Sequence, residues 1–148
     1  MKHSSAVIQI SKNLSNETLE AMFVDLCDIV EDEYWVIVEE GFTENSYWIP
    51  TPLDEIEEDE FLGAIEISAE AEPLMKIIAL AHEVGHLILH LENGLRKDLH
   101  QIFEEAVAWY LGYNFFRDRG YIIDIEEYKK DAKESLEKYI RSFNEESE

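Results

Sequence analysis

The chain has 148 residues, 46% of them apolar and 31% charged, which predicts one soluble globular domain with enough residues for a proper core. Its formal net charge of −22 argues against direct nucleic-acid binding, because phosphates would be repelled, and favours a basic partner or substrate. A lone Cys27 excludes an internal disulfide, no apolar run approaches the roughly 20 residues of a membrane span, and Ala6–Ile10 is too short for a secretory signal, so the cytoplasm is the expected location.

Val7–Ile10 can add a short strand near the start. Leu19, Met22, Phe23, Leu26 and Val30 recur at helical spacing and predict a helix over 16–32, with Ser15 or Asn16 as its cap. Cys27 neighbours that stripe and reads as a packing residue rather than a nucleophile. Tyr34–Val38 is β-branched and aromatic and reads as a strand. Gly41 and Asn45 mark a turn, Ser46–Ile49 reads as the partner strand, and Pro50 and Pro52 end it. Residues 51–60 form an acidic loop with Asp54, Glu55, Glu57, Glu58, Asp59 and Glu60. It lacks the glycine of a calcium-binding EF-hand loop and reads as solvated chain.

Leu62–Ile67 predicts a third strand, with Ile65 and Ile67 on one face and Glu66 on the other. Pro73 suits the first position of a helix running to Leu91, Glu70 and Glu72 favour its positive end, and Asn93-Gly94 ends it. Asp98, with Gln101 at capping-box spacing, opens a helix through Ile102–Leu111 that ends near Arg119-Gly120. Asp124 and Glu127 form a second capping box, and the last helix runs to about Phe143. Its buried stripe is Ile125, Tyr128, Ala132, Leu136, Tyr139 and Phe143. The expected fold is α+β: a single domain over 1–148, with a short, mostly antiparallel sheet packed on a helical core.

The chemistry lies in Leu80-Ala81-His82-Glu83-Val84-Gly85-His86-Leu87-Ile88-Leu89-His90. His82 and His86 stand one helical turn apart on one face, so both imidazoles can reach a single Zn²⁺ at about 2.0–2.1 Å. Glu83 is rotated by about 100° and suits a carboxylate that acts on the attacking water rather than on the metal. The flanks, Met75–Leu80 and Leu87–Leu89, are nearly all apolar and predict a buried helix. Two imidazoles and a carboxylate buried there need partners, and a metal is the simplest one. His90, a further turn along and rotated away, reads as a supporting group rather than a ligand; His3 and His100 carry no signal.

A catalytic zinc takes three protein ligands and keeps one open position. Glu104 and Glu105 are the unexpected acids within an apolar helix. Glu105 shares its face with Ile102, Ala106, Trp109 and Tyr113, whereas Glu104 lies nearer Val107 and Leu111, so Glu105 is the stronger candidate for third ligand. Tyr47, Tyr110 and Tyr113 are candidates to assist an oxyanion, and the pattern does not choose among them.

Ala81–His90, with Gly85 inside the zinc motif and His90 four residues after it, resembles the signature of the ImmA/IrrE metallopeptidases. Glu105-Ala106 is similar to the Glu-Ala that carries that family's third ligand, a feature shared with thermolysin-like gluzincins, and Gly63–Ile67 is similar to the strand before its metal helix. The resemblance covers about residues 60–112. Val107, Trp109 and Tyr110 stand where the family has an Asn and a Phe-Ala pair, and its Leu-Leu-x-Pro ending is absent. The resemblance implies a zincin-like fold and a zinc site of His82, His86 and Glu105, with Glu83 as the catalytic base. It also implies narrow cleavage of a protein substrate such as a basic helix-turn-helix repressor. The strand at 63–67 could align an extended peptide by edge pairing. The competing expectation is a non-catalytic acidic interaction protein, a DNA mimic or antitoxin-like partner with a structural or vestigial zinc site. Glu83 favours the enzyme, because a structural site needs no base.

Overall fold

A computed structural model describes residues 7–41, 46–50, 62–93 and 101–146. The acidic loop at 51–60, the turn at Asn45, the helix end at Gly94 and the Asp98 cap lie outside the described residues. The architecture is α+β. In chain order the elements are β1 (Ile8–Ile10), α1 (Asn16–Tyr34), β2 (Ile37–Gly41), β3 (Tyr47–Pro50), β4 (Gly63–Ser68), α2 (Pro73–Asn93), α3 (Gln101–Arg117), β5 (Tyr121–Ile123) and α4 (Ile125–Glu146).

Helix α1 starts where Ser15 Oγ accepts from the Thr18 amide at 3.1 Å, an N-cap that satisfies one free donor of the first turn. It buries Leu19, Phe23, Leu26 and Val30. The helix outruns its predicted end and takes in Tyr34, and Trp35 closes it in the left-handed region at φ 54°. The strand expected over 34–38 therefore begins at Ile37, where the Val38 amide is held by Glu31 Oε2 at 2.8 Å. Cys27 packs against this core. Burial, with Glu31, Asp28 and Glu40 nearby, pushes its thiol up to about 12, which makes it a poor nucleophile.

Two expectations about the sheet are corrected. The strand β3 does not pair with β2; β4 lies between them, in the order β2-β4-β3. The sheet is also not mostly antiparallel. The β2–β4 pair is parallel, with Val38 opposite Ile65, and only β3–β4 is antiparallel, with Trp48 opposite Ile65. Burial gives the reason. Ile65 and Ile67 are fully buried and Gly63 and Ser68 are buried too, so β4 is the strand suited to the centre. The exposed acids Glu39 and Glu40 suit β2 to an edge. A second sheet pairs β1 with β5 in parallel, Ile8 opposite Tyr121. Three residues after Gly120 were too short a signal for β5 to be predicted, and the glycine itself turns the chain at φ 89°.

Helix α2 is the central element. Ile77, Leu80, Ala81, Val84 and Leu87 are completely buried. By length and mean hydropathy Pro73–Glu92 would suffice to cross a bilayer, although Lys76, His82, Glu83 and His86 interrupt its apolar run. In this fold it is a core helix, packed between α1, α3 and the β3–β4 side of the sheet. Lys76 is buried within it and meets Glu40 of β2 at 2.7 Å and Glu20 of α1 at 3.0 Å, tying three elements together.

The tightest approach is between α2 and α3. A Cβ on Gly85 would collide with the Ala108 carbonyl, and a Cβ on Gly112 with the Ala81 carbonyl. The two helices thus meet backbone to backbone at two reciprocal points, which only glycine permits. Asp124 Oδ1 then caps α4, accepting from the Glu126 amide at 3.0 Å. Tyr128 fastens α4 to α3 by donating its hydroxyl to the Trp109 carbonyl at 2.6 Å. The α4 stripe is buried at Tyr128 and half-buried at Ala132, Leu136 and Tyr139, while Ile125 is exposed.

Gly112→Ala should push α3 off α2. We expect a loss of about 1–3 kcal/mol in chemical denaturation, the usual cost of overpacking, together with a weaker grip on zinc. A variant with unchanged stability and unchanged zinc affinity would show that the close approach has no bearing on the site.

Candidate metal centre

His82 and His86 come from the buried middle of α2, and Glu105 from the first half of α3. The close helix contact at Gly85 and Gly112 brings the three together. Their donor atoms lie within 4.8 Å of one another. The two Nε2 atoms are 3.1 Å apart. Glu105 Oε1 is 3.0 Å from His82 Nε2, and Oε2 is 2.6 Å from His86 Nε2. Glu105 is 5% exposed, whereas the Glu104 side chain is 41% exposed and reaches the opposite nitrogen, His86 Nδ1, at 3.8 Å. Among the described residues Glu104 is therefore outside the converging set and beside it.

Hydrogen bonding alone does not resolve this cluster. With a proton on each Nε2, both rings bond Glu105, but two N–H groups then face each other at 3.1 Å. With a proton on one, the other ring leaves its lone pair against a carboxylate. A cation among the three removes the conflict. Two ligands on a tetrahedral Zn²⁺ stand about 3.3–3.4 Å apart, given bonds of 2.0–2.1 Å, and the nitrogen pair is already close to that spacing. Two imidazoles and one carboxylate are also the donor set of known catalytic zinc sites. The residues fit the ion.

The charges are coupled. Burial pushes Glu105 up, but its bonds to His82 and His86 prevail and hold it down at about 2. Burial lowers His82, only partly opposed by Glu105, and the neighbouring His86 lowers it further. Burial lowers His86, but the bond to Glu105 and the charges of Glu105, Glu83 and Glu104 together raise it. His82 is also fixed from behind, stacked on Trp109 with centroids 4.0 Å apart and planes 8° from parallel.

Glu83 stands apart from the converging donors. Its Oε2 lies 3.4 Å from His82 Nδ1, the nitrogen that does not face the cluster. It is 5% exposed, and the Trp48 backbone amide of β3 donates to it. Burial drives its carboxyl up to about 8, with Glu105 adding to the rise and His86 and the Trp48 amide opposing it. A buried carboxyl of this kind, in a cavity wall and one bond from a sheet edge, can exchange a proton near neutral pH. The cavity measures about 450 Å³ and is lined by His82 and Glu83 together with Met75, Ile78 and residues of α4.

Several contributors were not visible in the sequence. Trp48 bonds Glu83 through its backbone and donates Nε1–H to His90 Nδ1 at 3.4 Å, so His90 supports β3 and takes no part in the cluster. Of the tyrosines weighed as oxyanion partners, Tyr110 is largely exposed, Tyr113 packs on Tyr128, and the side chain of Tyr47 lies outside the described residues. Tyr139 lines the cavity instead, and burial followed by the carboxylates of Glu105, Glu83 and Glu104 raises its hydroxyl. Its place in the α4 stripe was readable, but the packing of α4 across the cleft was not. The strand β4 cannot align a peptide by edge pairing, because both its edges are occupied. Among the described residues the outer edges of β2 and β3 are both unpaired, and at β3 Trp48 directs its amide toward Glu83.

No protein-family model matches the chain, and no curated protein or solved structure does.

Purified protein is expected to bind about one Zn²⁺ per chain, and His86→Ala to lose most of it. In competition with a chelator, Glu105→Gln should weaken zinc far more than Glu104→Gln. The reverse order would make Glu104 the ligand.

Proposed function

We propose that the protein is a zinc-dependent endopeptidase of narrow specificity, zincin-like in fold and related to the ImmA/IrrE metallopeptidases. One observation carries the reading: His82, His86 and Glu105 converge within 4.8 Å while a buried Glu83 lines the adjoining cavity without joining them. That is the division of labour a hydrolytic centre needs, with three ligands and a separate base.

Zinc bound there would act as a Lewis acid, making water more acidic and polarising the scissile carbonyl. The rest falls to the chain. Glu83 takes a proton from the attacking water and returns it to the leaving amine. Trp109 holds the His82 ring by stacking, and Glu104 lies beside the far nitrogen of His86. The outer edge of β3 is suited to hold an extended substrate segment, replacing β4 in that role. The net charge of −22 favours a basic substrate, of which a helix-turn-helix repressor is an example, and the lone Cys27 suits the cytoplasm. The same charge favours the second reading, an acidic binding protein whose zinc site is structural or vestigial.

Glu83→Gln separates the two. It should keep the fold and the zinc and lower cleavage by about 10²–10⁴-fold, the usual contribution of a positioned base. Wild type and variant would each be co-expressed with a candidate basic repressor, and the repressor followed by gel and mass spectrometry. Site-specific fragments with the wild type alone support the peptidase. Equal cellular effects with no cut in either case would favour the binding protein.

A further inference from the structure

A reacting peptide bond needs more than a base. When water adds to its carbonyl carbon, the π pair moves onto oxygen, and a donor already waiting there lowers the barrier. Besides His82, the donors in the cavity wall are Ser46, Ser68, Trp109, Ser135, Lys138 and Tyr139. The Trp109 N–H is sealed from solvent, and Lys138 is exposed. Ser46 is held on the sheet, its Oγ accepting from the Ser68 amide at 3.0 Å. Serine hydroxyls stay close to the backbone that carries them, whereas Tyr139 carries its hydroxyl at the far end of a ring.

Tyr139 is half-buried, and its hydroxyl forms no hydrogen bond among the described residues. It is also not one of the atoms sealed from solvent, so a partner entering the cavity can reach it. The fold directs it. Tyr128 and Tyr139 stand about three turns apart on one face of α4. Tyr128 fixes that face to the Trp109 carbonyl at 2.6 Å, and Trp109 stacks on His82. Burial raises the Tyr139 hydroxyl, and the carboxylates of Glu105, Glu83 and Glu104 raise it further, so it holds its proton at neutral pH. All three carboxylates border the metal centre, and the hydroxyl is within their reach.

Resting on the peptidase reading, we propose that Tyr139 is a catalytic residue whose hydroxyl donates a hydrogen bond to the scissile carbonyl oxygen as it becomes an oxyanion. Water adds by forming a C–O bond while the carbonyl π pair moves onto oxygen, and Glu83 takes that water's proton. When the C–N bond breaks, the pair on oxygen re-forms the carbonyl, and the proton passes from Glu83 to the departing nitrogen. Tyr139 keeps its own proton throughout. Its part is electrostatic and grows only while the charge is on the oxygen. A helix outside the α2–α3 pair thereby completes the centre.

The test is Tyr139→Phe, which removes the hydroxyl and keeps the ring. The probes are fluorescein-labelled degenerate hexapeptide pools in two forms, one with an ordinary amide at the centre and one with a phosphinate there, whose charged tetrahedral group stands in for the oxyanion. Each protein is loaded with zinc, and the variant should hold as much as the wild type. By fluorescence anisotropy, Tyr139→Phe should bind the phosphinate pool about tenfold more weakly, as for a lost charge-assisted bond. The amide pool, measured on the Glu83→Gln background so that it stays whole, should bind within about twofold with and without Tyr139→Phe. Cleavage of a quenched amide pool should fall about 10²–10³-fold, the usual cost of one missing oxyanion donor. Tyr110→Phe, on an exposed ring, should leave all three readings unchanged. Equal weakening of both pools overturns the proposal, because it makes Tyr139 a wall of the pocket only. So does a phosphinate pool bound equally by wild type and variant, or by neither. Wild-type cleavage that survives Tyr139→Phe sinks the oxyanion role and leaves the peptidase reading standing; a wild type that cuts neither the pool nor a basic repressor sinks both.

Discussion

The contact between α2 and α3 at Gly85 and Gly112 governs the site. Each glycine admits the opposing helix backbone where a side chain would not fit. At ordinary helix separations of about 8–10 Å, Glu105 would have to stretch to reach histidines one turn apart on α2. With the backbones in contact, its carboxylate bridges both Nε2 atoms. Gly85 falls between His82 and His86 in the motif, so the residue that permits the approach is one of those that define the centre.

The rest of the fold positions this helix pair. Lys76 ties α2 to α1 and β2, and Tyr128 ties α4 to the Trp109 carbonyl. The strand β3 is drawn to α2 by two bonds from one residue, Trp48, whose amide meets Glu83 and whose indole meets His90. Glu83 is thereby held by a sheet edge, and the converging His82, His86 and Glu105 by a helix contact. Two different supports keep Glu83 out of the converging set, although it is adjacent in sequence to His82.

Much of this was legible early. The α1 stripe, the core helix at Pro73 and the facing of Glu105 follow from a 3.6-residue period applied to Leu19, Phe23, Leu26 and Ile102, Glu105, Trp109. The sheet was less legible. Pairing Ser46–Ile49 with the strand before it followed from proximity along the chain, yet β4 is apolar enough to take the centre and separates them. The end of α1 was also misplaced, because aromatic Tyr34 and Trp35 read as strand while tertiary packing kept Tyr34 helical. Short β5 carried too few residues for any period to register.

By itself the sequence determined which side chains share a helix face, because that depends only on the angle between successive residues. His82 and His86 on one face, Glu83 off it, and Glu105 toward the core all follow from that local geometry. Only the tertiary structure decided what stands across from those faces. It set Glu105 against the two imidazoles, the β3 edge beside Glu83, Trp109 behind His82, and Asp131 with Tyr139 across the cavity. These are contacts between residues far apart in the chain, set by how closely helices and strands can approach, and no short-range periodicity encodes them.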